Sequence, residues 1–121
     1  MKMDSKKIAL EICKAIDAKK GENISLLGLE GISLLTDYFV ICSGNSRVQT
    51  QAIADHIEKE MGKVGVLLER REGYAEGRWI LQDYGVVIVH IFLEEERQFY
   101  NLERLWGDAS VVHYGDDVEW F

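Results

Sequence analysis

The chain contains no proline and only two cysteines among its 121 residues. Without proline there is no stiff spacer, and repeats and low-complexity tracts are also missing, so residues 1–121 read as one domain. Cys13 and Cys42 lie far apart in apolar-periodic segments, which speaks against a disulfide framework and predicts reduced, buried thiols in a cytoplasmic protein. No apolar run approaches the roughly 20 residues that span a bilayer. The opening Met1-Lys2-Met3-Asp4-Ser5-Lys6-Lys7 carries charge with no apolar stretch behind it, so no secretory leader is expected. A basic excess is lacking as well. The formal net charge is −7, which argues against DNA binding and against affinity won by neutralising phosphates, while it fits a basic protein partner.

What is present is 47% apolar and 29% charged residues, the balance of a domain with one core. Ile8, Ile12, Ala15 and Ile16 recur at helical spacing and predict a helix from Asp4 to Lys20, stopped by Gly21. A short strand is expected over Ile24–Leu29, and the run Tyr38–Cys42, apolar on both faces, predicts a central strand. Ser46 and Gln49 have capping-box spacing. The helix they open is expected to bury Val48, Ala52, Ile53, Ile57 and Met61 and to end at Gly62. A strand near Val66–Arg71 would complete a βαβ unit. Arg78–Leu93 reads as a hairpin turning at Asp83-Tyr84-Gly85. A two-residue turn at Tyr84-Gly85 would set Asp83 opposite Val86, Leu81 opposite Ile88 and Trp79 opposite His90. Glu94–Trp106 reads as one helix with Phe99, Leu102 and Trp106 in a stripe. The fold class is α/β, a single domain with a mixed β-sheet flanked by helices.

Three features invite a chemical reading. His90 followed by Glu94, Glu95 and Glu96 resembles a metal or acid–base site. His56 and His113 are scattered, however, and no second ligand falls at metal-site spacing. A histidine packed between Ile88 and Phe92 and acids favoured at a helix start account for the same residues. The turn Ser43-Gly44-Asn45-Ser46 stands between a strand and a helix N-terminus, a place that often holds phosphate. It is neither a Walker loop nor a dinucleotide fingerprint. A nucleotidyltransferase would need paired carboxylates on the next strand, where only Glu69 stands, beside Arg70 and Arg71. The third feature is Trp79. Alternation puts it on one face with Leu81, beside carboxylates, which suits a binding hot spot and suits a core tryptophan equally well.

The two stretches spanning residues 33–58 and 72–109 closely resemble the ribosomal silencing factor family (RsfS, or Iojap). Thr36-Asp37-Tyr38, Ser43-Gly44, Trp79 with Asp83, Val89-His90, and Tyr100 followed by Leu105-Trp106 carry the likeness. It covers about residues 6–109, leaving 110–121 as a variable tail. The resemblance implies a nucleotidyltransferase-like fold without the catalytic carboxylates, no enzymatic activity, no cofactor and no metal. It implies binding to ribosomal protein uL-fourteen on the large subunit, block of small-subunit joining, and repression of translation when nutrients are short. It further implies a homodimer when free and at most minor ribosomal RNA contact. Carried over by position, the contact surface comprises Trp79, Leu81, Asp83, Tyr84, Glu94 and Tyr100, and truncating Trp79 is expected to remove binding while leaving the fold nearly intact.

Overall fold

A computed structural model describes residues 3–115. The described residues form a six-stranded sheet whose strand order is β3-β4-β5-β2-β1-β6. The strands are β1 (Glu22–Gly28), β2 (Tyr38–Gly44), β3 (Arg70–Glu72), β4 (Trp79–Asp83), β5 (Val87–Leu93) and β6 (Ser110–His113). β2 and β5 run parallel at the centre, and the other neighbours are antiparallel. The mixed α/β sheet is therefore as the pattern predicts.

α1 (Ser5–Ala18) starts where Asp4 accepts the Lys7 N–H at 2.8 Å, satisfying one of the orphan donors of a helix start. Ile8, Ile12, Ala15 and Ile16 are buried as expected, joined by Ala9 and Cys13. The helix is left through Lys20, which takes the left-handed φ of 61°. Gly21 has a different role: a Cβ there would stand 2.3 Å from Ile16 Cγ2, so the close return of the chain over Ile16 excludes a side chain.

α2 (Arg47–Lys63) follows β2. Ser46 accepts the Gln49 N–H at 3.1 Å, as a capping box requires, while the Gln49 side chain takes the Asn45 N–H at 2.6 Å. The buried stripe is Thr50, Ile53, Ala54, Ile57 and Met61. Val48 and Ala52 are exposed instead. The i, i+3, i+4, i+7 ridge is centred one residue beyond Ile53, and the helix extends one residue past Gly62.

The strand expected at Val66–Arg71 is only Arg70–Glu72, at the sheet edge and antiparallel to β4. The parallel partner of β2 is β5, so the crossover consists of α2 plus the β3–β4 excursion. The hairpin pairs Trp79 with Phe92, Leu81 with His90 and Asp83 with Ile88. Its loop is Gly85-Val86, closed by Tyr84 N–H to Val87 C=O at 2.9 Å, with Gly85 at φ +85° where a two-residue loop wants glycine first. Moving the turn by one residue shifts the register by two, so the facing of every side chain survives.

Beyond β5 the expected single helix is two, α3 (Glu94–Tyr100) and α4 (Leu102–Leu105). Asn101, left-handed at φ 46°, breaks it, as asparagine tolerates better than most residues. Leu102 and Trp106 still pack into the sheet, but Phe99 turns out to 80% exposure. Residues 110–113 add β6 beside β1, an element absent from the periodicity reading. Residues 116–121 of the expected tail lie outside the described residues.

α1 and α2 cover one sheet face, burying Leu26, Val40, Cys42, Ile80, Val89 and Ile91. α3 and α4 cover only part of the other, over Leu27, Phe39, Ile41 and Phe92.

Candidate docking face

The incompletely covered face carries Trp79, Leu81 and Asp83 from β4 and Ile88, His90 and Phe92 from β5. Trp79, Leu81, Asp83 and Ile88 are half-buried, whereas His90 and Phe92 are buried. Period-2 alternation brings all six to this face, and the partial cover by α3 and α4 leaves the β4 residues more exposed than His90 and Phe92.

Trp79 is held on three sides. Its indole Nε1–H donates to His90 Nδ1 at 3.1 Å, and its ring lies 4.9 Å from Phe92 and 4.5 Å from Tyr100, centroid to centroid. The polar tip of the indole is thereby satisfied, and its remaining exposed surface is carbon, the kind of surface that gains most from being covered. Truncating Trp79 removes packing as well as surface, so the fold does not escape as freely as the strand pattern alone predicts.

His90, 4% exposed, sits edge-on to Phe39 at 4.6 Å. Burial pushes its pKa down from 6.5 to about 4, since a charged imidazole would be desolvated here. Accepting through Nδ1 assigns its proton to Nε2. Among the described residues no group of three or more His, Cys, Asp or Glu is placed to hold a metal. Cys13 and Cys42 are free, buried thiols, their ionisation suppressed chiefly by desolvation.

The remaining named residues divide. Tyr100 joins Trp79 directly. Asp83 accepts the Gly85 N–H at 2.8 Å, which fixes the hairpin turn at the end of the face. Glu94 is exposed in the first turn of α3 with Glu95, whereas Glu96 pairs with Arg78 at 3.3 Å. Tyr84 alternates to the opposite face, is 5% exposed and belongs to the core beneath α1 and α2. The structure does not bring it to the Trp79 surface.

One residue was missed. Arg97, 8% exposed, donates through Nη1 to Ser43 Oγ at 3.0 Å and to the Asn23 carbonyl, and through Nη2 to Ser25 Oγ at 3.1 Å and Glu103 Oε2 at 2.7 Å. Ser43, a candidate for phosphate binding, is thus engaged by a guanidinium from within the chain. The Asn45 N–H at the same turn is engaged by Gln49. An arginine directly after three glutamates reads as surface, and the only signal is the pair of serines, Ser25 and Ser43, each next to buried apolar residues on its strand.

The molecule is thus an α/β domain with one sheet face packed under two long helices and one face left open around an aromatic cluster, without a catalytic constellation among the described residues of the open face. Residues 2–119 match the family model described as ribosomal silencing factor during starvation, RsfS. The chain belongs to the ribosomal silencing factor family. It is 49% identical over 110 residues to ribosomal silencing factor RsfS of Bacillus subtilis, covering 91% of this chain and 93% of that protein. It is 50% identical over 98 residues to RsfS of Halalkalibacterium halodurans, covering 81% and 84%. A crystal structure of a Chromobacterium violaceum protein superposes with a TM-score of 0.85 at 30% identity, covering 87% of this chain and 88% of that one.

Proposed function

We propose that this chain binds ribosomal protein uL-fourteen of the large subunit through the face centred on Trp79 and Leu81, with Asp83, Glu94 and Tyr100 around it. Tyr84 supports the turn from the opposite core. Occupying that site blocks joining of the small subunit and represses translation under nutrient limitation. The observation that carries the reading is a half-exposed indole, polar tip satisfied, on the one sheet face that helices leave partly bare. Family membership supplies the ribosome as the setting. The net charge of −7 suits a basic protein partner and keeps ribosomal RNA contact minor. In this reading the free protein is a cytoplasmic homodimer, and no described helix is long and apolar enough to cross a membrane.

The protein is expected to co-sediment with large subunits and not with small subunits or joined ribosomes. Equal recovery with all three particles would exclude an anti-joining role. The rival, a nucleotide-binding enzyme at Ser43–Ser46, is opposed by the engagement of Ser43 and Asn45 inside the chain. Micromolar binding of magnesium nucleotides in calorimetry would revive it.

A further inference from the structure

We infer that Arg97 is the positioning residue of the docking face, its buried guanidinium clamping α3 and α4 to β1 and β2 so that Tyr100 lies against Trp79. The inference rests on the docking reading above. α3 has seven residues and no side-chain cap at its N-terminus, too short to be stable alone, and it ends at the left-handed Asn101. Its orientation must therefore come from what it touches. On one flank the contact is the Arg78–Glu96 pair, whose arginine side chain is 61% exposed, an arrangement that holds little. On the other flank Arg97 reaches Ser43 on β2, Ser25 and the Asn23 carbonyl on β1, and Glu103 on α4. The left-handed Asn23, φ 50°, lies where the β1–β2 register shifts, and its carbonyl is an acceptor for the guanidinium.

Geometry links this anchor to the face. Arg97 and Tyr100 are three residues apart on α3, one turn of the helix, so fixing the rotation of α3 through Arg97 fixes where the Tyr100 ring falls. Glu103 closes the arrangement by joining α4, which carries Leu102 into the same core. A lysine would bring a single point charge with three donors and could not span β1, β2 and Glu103 of α4 at once.

The test is a double-mutant cycle read as affinity for purified large ribosomal subunits. Arg97→Lys and Glu103→Ala are each made alone and together with Tyr100→Ala, and binding is measured well below the melting temperature of every variant. Each anchor substitution alone is expected to weaken binding on the order of tenfold. Combined with Tyr100→Ala, each should add almost nothing, because its effect already runs through Tyr100. Wild-type affinity in the folded anchor variants would overturn the inference. So would losses that multiply with that of Tyr100→Ala. Should Arg97→Lys fail to fold, Glu103→Ala carries the test, since Glu103 sits at the clamp's outer end with a side chain 25% exposed. Trp79→Ala is measured alongside. If Trp79→Ala binds poorly while the anchor variants bind normally, only the role of Arg97 falls. If Trp79→Ala itself binds like wild type, the docking face is wrong and the clamp's purpose falls with it.

Discussion

The two faces of the sheet are built from alternate residues of the same strands, yet they end differently. Beneath α1 and α2, Ile80, Val89 and Ile91 are fully buried, and the polar Gln82 among them is tied to the Ala54 carbonyl and to Glu58. On the opposite face, which α3 and α4 only partly cover, the intervening positions hold Trp79, Leu81 and Asp83, only half-buried, with His90 and the α3 residue Arg97 as its buried polar groups. Long helices with apolar stripes close the first face. Two short helices, interrupted at Asn101, reach across only part of the second. The difference teaches that β4 commits its even-numbered residues to the core and leaves its odd-numbered ones half-exposed, free for the recognition role proposed above.

The largest effect should fall on the sealed face. Ile91→Ala is expected to cost roughly 2–5 kcal/mol of stability, since a fully buried side chain leaves a cavity, while the folded fraction binds large subunits normally. Urea denaturation and a binding titration read the two quantities separately. Weakened binding by folded Ile91→Ala would break the division of labour. Trp79→Ala should show the converse balance: about 2 kcal/mol or more lost from binding, and about 1–3 kcal/mol from stability because its ring packs on Phe92 and Tyr100. Wild-type affinity together with a wild-type melting temperature would remove Trp79 from the site.

Much of this contrast was legible beforehand. Strand parity survives a shift in turn placement: alternation puts Trp79, Leu81 and Asp83 on one face whether the loop is Tyr84-Gly85 or, as the structure has it, Gly85-Val86. The resemblance carries Tyr84 into the same surface by position, whereas parity turns it to the opposite core. The break at Asn101 was not legible, because asparagine inside a helical pattern costs only a little and the packing of Leu102 and Trp106 decides the outcome. Nor was Arg97. Its acceptors on β1 and β2 lie 72 and 54 positions away, and no local pattern carries such a contact.

His90 sharpens the comparison by pH. Its folded pKa of about 4 lies below the ordinary 6.5, so between those values the unfolded chain binds the proton that the folded chain refuses. Stability should therefore fall as pH drops through that window, by about 1 kcal/mol at pH 5.5 from this group. His90→Gln keeps an acceptor for the Trp79 indole and removes the titration. Melting temperatures from pH 7 to 4 should decline less steeply in the variant than in the wild type. Parallel declines would show that the open face hydrates His90 and is less closed than its 4% exposure indicates.

The smallest effect concerns the rim. Glu94 and Glu95 are exposed beside the open face, and the net charge is −7, so a basic partner should be steered toward the protein before contact. Glu94→Gln alters one charge at a helix start, worth only a few tenths of a kcal/mol to the fold. Its association rate with large subunits should fall modestly at low salt, with dissociation almost unchanged. At high ionic strength, where the Debye length shrinks to roughly 3 Å at 1 M, variant and wild type should converge. Stopped-flow rates across salt concentrations decide it. A wild-type association rate independent of salt would take electrostatics out of recognition and leave the aromatic cluster around Trp79 to select the partner by shape alone.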